Sequence, residues 1–233
     1  MIDNYFKNHP FGITGLFAFP LLVFVVLMGD YFSLKTPEGY QSFIIAFEFA
    51  KTIQDINLLF SGLSVDEIQR IDIGNYIDFG FMLTYSLFLI SLFIKASKVF
   101  NKKWLKVGIL LAMIALFSDI LENLILLKIT GIYLANLNES LFSPLLEKLH
   151  LMTWLKWGTL AFGFLFFSVE IFRKNWLGKT VAFFCFLPVA VGFWAIGGTS
   201  VAITYFTNSI FLAFTVLIIY SFFYKKENKS AGL

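Results

Sequence analysis

Cysteine and histidine are nearly absent from this sequence of 233 residues, which contains only Cys185, His9 and His150. A single cysteine cannot form an internal disulfide, so the sequence excludes a disulfide framework and a cysteine-rich metal site. Neither histidine has a metal ligand four residues away, so the helical zinc pattern is missing as well. Cys185 lies in an apolar run, and we interpret it as a small buried packing residue.

Charged residues and cofactor motifs are also scarce. Only 14% of the residues are charged, whereas soluble domains carry about 25%. The sequence has no phosphate-binding loop, dinucleotide fingerprint, nucleophile elbow or c-type haem motif, so we expect no metal and no cofactor. The net charge of +3 does not indicate a nucleic-acid partner, because the basic residues form short clusters between apolar runs.

Hydrophobic residues make up 58% of the chain and include 31 phenylalanines. A helix needs about 20 apolar residues to cross a bilayer core about 30 Å thick. Six stretches meet this requirement: residues 11–31, 76–94, 104–128, 145–172, 177–196 and 199–224. The first is longer than the apolar region of a signal peptide and lacks its cleavage pattern, so we interpret it as a retained span. The sequence therefore predicts an all-α, polytopic bundle of about six transmembrane helices, forming a single domain over residues 1–233.

The basic residues predict the orientation of the bundle. They flank the connections between spans two and three and between spans four and five, and they also lie at the two ends of the chain: Lys7, Lys95, Lys98, Lys102, Lys103, Lys106, Arg173, Lys174, Lys179, Lys225, Lys226 and Lys229. Because short basic loops stay in the cytoplasm, both termini are predicted to be cytoplasmic. We expect a multi-pass protein of the cell membrane, of the bacterial inner-membrane type.

One long connection, residues 32–75, is predicted to face outward and to be helical. Its polar residues Gln41, Glu48, Thr52 and Asp55 recur at helical spacing, which indicates an amphipathic helix over residues 40–60. Such a helix lies along the membrane surface or caps the bundle. A capping box over residues 64–67 begins a second helix that leads into span two. The connection is either a lid over a cavity or a passive surface element.

The third span carries an acidic cluster, Asp119, Glu122 and Asn123, whose i, i+3, i+4 spacing places all three on one helical face. Ionised side chains are costly in hydrocarbon, so they face protein, water or a ligand. Small residues continue the same face toward the cytoplasmic end: Gly108, Ala112 and Ala115. They allow another helix to approach closely. That helix belongs to this chain, to a second copy of it or to a partner membrane protein.

Partners for the acidic cluster are expected on other spans. Lys156 of span four lies at a depth similar to that of Asp119, which predicts an ion pair. His150 lies at the depth of Glu122, which predicts a hydrogen bond. Span two adds Asn75 and Asp78 at its outer end and Tyr85 two turns deeper on the same face. A buried ion pair can serve only to hold a bundle in register, and this structural role is one interpretation. Two carboxyl groups, an amide, a lysine and a histidine exceed what that role needs, so we favour a functional polar site.

Two other features bear on a pathway through the membrane. Ser200, Thr204 and Asn208 form a polar stripe on span six, which either lines the same cavity or makes hydrogen bonds between helices. Pro188 is expected to kink span five, although kinks without a function are the more common case.

Three functions fit the sequence. The first is binding and translocation of a proton, a cation or a small polar solute by the buried acidic site. The second is a metal-independent membrane enzyme that acts on a lipid or isoprenoid by carboxylate acid–base chemistry. The third is a non-catalytic subunit or sensor that binds a partner through the small residues of span three. The expected partners are the bilayer and a small solute, ion or lipid ligand.

Overall fold

The computed structural model describes residues 5–6, 8–136 and 139–225, and in these residues it contains helices and turns but no strand. Six helical segments are long and apolar enough to cross a membrane: Gly12–Tyr31, Val65–Val99, Lys103–Leu134, Glu139–Ile171, Trp176–Ala195 and Ser200–Phe223. The predicted all-α bundle with six spans is therefore confirmed. Lys7, Lys226 and Lys229, on which the predicted orientation partly depends, lie outside the described residues.

Nine α-helices make up the described part of the chain. In order they are α1 (Gly12–Gly15), α2 (Ala18–Tyr31), α3 (Phe43–Glu48), α4 (Ile53–Phe60), α5 (Val65–Val99), α6 (Val107–Leu134), α7 (Phe142–Ile171), α8 (Trp176–Ala195) and α9 (Ser200–Phe223). From α5 to α9, each helix packs against the next one in the chain, and α1 packs against α9. The first span consists of α1 and α2. Helix α8 continues through Pro188 without a break.

Helix α5 begins well before the predicted start of span two at residue 76. The Ser64 side chain accepts a hydrogen bond from the Glu67 N–H, and the Glu67 carboxylate accepts one from the Ser64 N–H at 2.7 Å. This capping box satisfies the free N–H groups at the helix start, so the helix continues through its polar first turns. Its 35 residues span about 52 Å, more than the bilayer core of about 30 Å. Helix α5 is therefore longer than a single bilayer crossing requires.

The connection before α5 contains two short helices, α3 and α4, rather than the single amphipathic helix predicted over residues 40–60. Thr52 starts α4 with a second capping box, in which its hydroxyl accepts from the Asp55 N–H at 3.2 Å. Helix α3 has already ended at Glu48, so Thr52 and Asp55 begin a separate helix. Glu48 is only 5% exposed, whereas Gln41 and Thr52 are exposed, so the prediction of one polar face shared by these residues was wrong.

Aromatic packing fixes this connection on the end of the bundle. The ring centroids of Phe47 and Phe60 lie 5.1 Å apart, and Phe43 packs 6.0 Å from Phe60. All three rings are buried in a cluster that includes Leu126 of α6 and Leu146 of α7. The connection therefore caps the bundle, which was one of the two arrangements considered. We call this end of the bundle, where residues 32–64 lie, the loop face. The opposite end carries Lys102, Lys103 and Lys106 in the connection α5–α6, Arg173 and Lys174 in the connection α7–α8, and Lys179 in the first turn of α8. We call it the basic face.

Glycines let two helices approach α5 closely. A Cβ added to Gly80 of α5 would lie 2.3 Å from the ring of Phe24 on α2, and one added to Gly108 of α6 would lie 2.2 Å from the ring of Phe93 on α5. Both glycines therefore fit beneath a phenylalanine ring. Gly108, Ala112 and Ala115 are all buried within the chain, so the small-residue stripe packs against other helices of this bundle.

Candidate functional site

The Lys156 ammonium, near the middle of α7, is the centre of a buried acidic cluster. Its Nζ atom lies 3.0 Å from Glu48 Oε2 and 3.2 Å from Asp119 Oδ1, and it also contacts the Glu122 carboxyl. All four side chains are almost completely buried. The ion pair predicted between Asp119 and Lys156 is present. The contribution of Glu48 from the loop face was not anticipated.

Two residues of α7 hold Glu48 against the bundle. The Trp157 indole N–H donates to Glu48 Oε2 at 3.0 Å, and the Thr153 hydroxyl lies 3.0 Å from the Glu48 backbone carbonyl. Thr153 also contacts the Glu122 carboxyl. Because Thr153 lies one helical turn before Lys156, the same face of α7 binds both the side chain and the backbone of Glu48.

A second set of polar contacts joins α5 to α6. The Tyr85 hydroxyl donates to Asp119 Oδ2 at 2.6 Å. The Asn123 amide donates to Asp78 Oδ2 at 2.9 Å and to the Asn75 carbonyl at 3.1 Å. Asn75 is fully buried, and among the described residues neither its side-chain nitrogen nor its side-chain oxygen has a hydrogen-bond partner. The helix pair therefore contains polar groups that the protein alone does not satisfy.

Closer to the loop face, one more hydrogen bond links the same helices. The Thr130 hydroxyl of α6 contacts Asp72 Oδ1 of α5 at 2.7 Å. Asp72, Asn75 and Asp78 follow one another at intervals of three residues, so each lies about 4.5 Å from the next along the helix axis. Polar side chains thus extend from the loop face down to the acidic cluster. We call these three residues the α5 polar row.

The cluster contains more carboxyl groups than cations. Glu48, Asp78, Asp119 and Glu122 are four carboxyl groups, and in the described part of the chain Lys156 is the one cation in contact with them. An ionised side chain near the middle of a membrane costs at least about 2.5–3.5 kcal/mol. Three negative charges without a counter-charge are therefore not tolerated, and protons or a bound cation must offset them.

Glu48 is the one member of the cluster that lies outside the membrane-spanning helices. Burial raises the pKa of its carboxyl group above the ordinary value, while the adjacent Lys156 ammonium acts in the opposite direction. The nearby Asp119 carboxyl adds to the upward shift of the Glu48 pKa. A raised pKa makes Glu48 a group that holds its proton to higher pH than an exposed glutamate.

A cavity of about 250 Å³ adjoins the cluster. Its walls are mostly apolar and come from α2, α3, α5, α7 and α9, and its polar groups are Ser42, Glu48, Asp78, Tyr85, Asp119 and Lys156. Two residues that line it, Val25 of α2 and Phe211 of α9, are 49% and 40% exposed on the outside of the bundle. Of the two helices in the first span, α2 has its main contact with α5, and it is α1 that packs against α9. The cavity therefore opens sideways between α2 and α9.

Toward the basic face the cluster is sealed by aromatic rings. Phe88 and Phe93 of α5 and Phe164 and Phe167 of α7 follow the site along their helices, and none is more than 1% exposed. The rings of Phe93 and Phe167 meet edge to face with centroids 6.0 Å apart. We call these four residues the phenylalanine layer. The polar groups of the site therefore extend toward the loop face and not toward the basic face.

Several residues proposed from the sequence lie elsewhere. His150 makes no hydrogen bond to Glu122: its Nδ1 atom has no partner, and its ring packs against Trp154. The Thr204 hydroxyl of α9 donates to the Gly39 carbonyl at 2.9 Å, and Asn208 is exposed. Ser200 also lies against Gly39. Ser200 and Thr204 thus contact the connection before α3, and none of the three residues of this stripe lines the cavity.

Sequence reasoning missed Glu48, Thr153 and Trp157. A signal for Glu48 was available, since it is the only polar residue in the run 43–50, and a lone carboxylate in an apolar run indicates a buried charge. Thr153 and Trp157 gave no such signal. Within the described residues, no three histidine, cysteine or acidic side chains are placed to hold a metal ion together. Comparison with protein-family models, curated proteins and solved structures found no match for this chain.

Proposed function

We propose that this membrane protein binds protons at the acidic cluster and uses them to translocate a proton, a cation or a small polar solute. The observation that carries the proposal is the excess of carboxyl groups over cations around Lys156. Since a buried net charge is too costly to persist, each charge that appears at the site must be matched by uptake of a proton or a cation. A site that must take up a proton when it releases a cation, and a cation when it releases a proton, is suited to exchange protons for cations.

The α5 polar row supports access of protons from the loop face. Both side-chain atoms of Asn75 lack a protein partner although they are fully buried, and water is the usual partner of such groups. Water beside Asn75 would connect Asp72 at the loop face to Asp78 at the cluster. The phenylalanine layer closes the opposite side, so release toward the basic face requires these rings to move apart.

The loops support an orientation for this process. The basic face carries the lysines and arginine of two short connections, and such loops remain in the cytoplasm. The proposal therefore places the basic face in the cytoplasm and the loop face outside, in the cell membrane of a bacterium. Protons would reach the acidic cluster from the outer side.

Replacing Asp119 with asparagine should abolish transport. Asn keeps the size of the side chain but cannot exchange a proton, so we expect the initial rate of pH-driven proton uptake into proteoliposomes to fall at least tenfold. A pH-sensitive dye inside the vesicles measures this rate. Glu170→Gln is the matched control, because Glu170 is equally buried but pairs with Lys174 near the basic face at 3.6 Å. Equal rates for wild type and Asp119→Asn, or no uptake by wild type, would contradict the proposal.

The apolar cavity favours a second candidate, a membrane enzyme that acts on a lipid or isoprenoid. In this case Asp119 or Glu122 serves as general acid or base, and the apolar tail of the substrate lies between α2 and α9. We expect cells that express the wild-type protein to contain a lipid species that is missing from cells expressing Asp119→Asn. Comparative lipid mass spectrometry tests this, and identical lipid profiles would exclude the enzymatic function.

A further inference from the structure

We infer that the ligand of the cavity is an amphiphilic cation, such as a protonated long-chain amine, which enters from the bilayer between α2 and α9 and places its charged head beside Asp78 and Asp119. This inference rests on the proposed function and names the cation that the proposal leaves open. Three observations carry it: the charge at the inner end of the cavity, the apolar walls and the lateral opening.

The charge that faces the cavity is negative. Three carboxyl groups line the cavity, those of Glu48, Asp78 and Asp119, together with one cation, Lys156. The Lys156 ammonium is shared, because it also contacts the Glu122 carboxyl, which does not line the cavity. One shared ammonium does not balance three lining carboxyl groups. The Oδ1 atom of Asp119 lies 3.2 Å from Lys156 Nζ but accepts no hydrogen bond within the described residues, although it is buried. An ammonium head supplies both the missing charge and the missing donors.

The walls exclude a free hydrated ion as the best ligand. Leu160, Ile45, Phe81 and Phe214 surround the space in front of the carboxyl groups, and none of them offers a polar atom to replace the hydration shell of an inorganic cation. An alkyl chain, by contrast, gains from contact with these side chains. A ligand that carries its charge at one end and an apolar tail at the other therefore matches both parts of the cavity.

The opening sets the route of entry. Helix α2 has a single buried residue, Leu21, and its packing partner is α5 rather than α9. The cavity consequently reaches the outside of the bundle at Val25 and Phe211, which are exposed to the surrounding lipid. The volume of about 250 Å³ holds a head group and the first part of a chain, so the rest of the tail remains in the bilayer.

The inference is tested with the purified protein in nanodiscs of zwitterionic lipid, labelled by an alkylamine that carries a photoreactive diazirine in its chain. We expect saturable labelling of residues that line the cavity, including Phe211. Dodecylamine should compete at least tenfold better than dodecanol or dodecanoic acid, because only the amine brings a positive charge to the carboxyl groups. Equal competition by the three compounds, or labelling confined to other surfaces of the bundle, would overturn the inference.

Matched variants of α2 separate this site from general partition into lipid. Gly29 lines the cavity, and no atom lies within 4 Å of a Cβ added there. The backbone therefore accepts a side chain at this position, and we expect the indole of Gly29→Trp to obstruct the cavity and to lower labelling at least tenfold. Leu22→Trp changes an exposed residue of the same helix and should leave labelling unchanged. Unchanged labelling in Gly29→Trp would overturn the inference.

Proton uptake by a wild-type protein that shows no saturable amine labelling would overturn the inference while the proposed function stands. Labelling without uptake would support the ligand assignment and contradict transport.

Discussion

Lys156→Met should lower the free energy of unfolding by about 3–5 kcal/mol, the cost of leaving buried charges without their partner. Methionine replaces the length of the side chain but not its charge, so no counter-charge remains in contact with Glu48, Asp119 and Glu122. The comparison is Lys174→Met, which removes an ammonium that is 31% exposed and lies 3.6 Å from the buried Glu170 carboxylate. Because Lys174 reaches water and contacts one carboxyl group rather than three, we expect a smaller loss than for Lys156→Met. Reversible unfolding in detergent with increasing dodecyl sulfate measures both values.

The loss in Lys156→Met should grow as the pH rises. Burial already raises the pKa of Glu48, and removing the ammonium removes the charge that opposes this shift. A carboxyl group whose pKa is higher in the folded state binds more protons there, so stability falls with rising pH. The decline should begin near the ordinary carboxyl pKa of about 4 and continue toward neutral pH. A variant that is equally destabilised at pH 4.5 and at pH 8 would contradict the electrostatic explanation.

Removing a carboxyl group should have a much smaller effect than removing the lysine. Glu48→Gln loses one ion pair but also removes one of the excess negative charges, and the amide oxygen still accepts from Trp157. We expect the free energy of unfolding to change by no more than about 1 kcal/mol. The double variant Lys156→Met/Glu122→Gln should be more stable than Lys156→Met alone, because it buries one carboxylate fewer. If Glu48→Gln proved as damaging as Lys156→Met, the cluster would be a balanced ion-pair network rather than one with surplus acid.

The six spans could be predicted because a bilayer imposes a length of apolar helix that is visible in composition alone. The pairing of Asp119 with Lys156 could also be predicted, since both lie near the middle of spans that follow each other in the chain. The start of α5 could not be placed by hydropathy, because the capping box at Ser64 begins the helix in polar turns that precede the apolar stretch.

The role of Glu48 was not predicted because helical periodicity assumes one continuous helix. The second capping box at Thr52 divides the segment into α3 and α4, so the polar residues of the two helices need not share one face. The stripe on α9 was misplaced for a different reason, because helical spacing alone does not say which neighbour a face meets. Thr204 meets the connection at Gly39, and Phe214, on another face of the same helix, meets the cavity and Tyr85.

Phe47→Ala should release the connection at the loop face from the bundle. Phe47 is fully buried and packs against Phe60, and truncating such a ring costs about 3–5 kcal/mol. Since each 1.4 kcal/mol is a factor of about ten in an equilibrium, amide exchange in residues 43–60 should become at least a hundredfold faster or reach the unprotected rate. Hydrogen exchange with mass spectrometry measures this. Leu58→Ala is the matched control, because Leu58 lies in the same segment but is 68% exposed.

The response of the spans to Phe47→Ala distinguishes a lid from a fixed part of the core. When the connection leaves, Lys156 loses Glu48 but keeps Asp119 and Glu122, so the helices below should remain assembled. We therefore expect amide protection in α6 and α7 to stay unchanged while residues 43–60 exchange rapidly, which is the behaviour of a segment that opens on its own. Simultaneous loss of protection around Glu122 and Thr153 would show that the connection and the spans form one cooperative unit, and a lid that opens independently would then be excluded. Unchanged exchange throughout would mean that the aromatic cluster does not hold the connection in place.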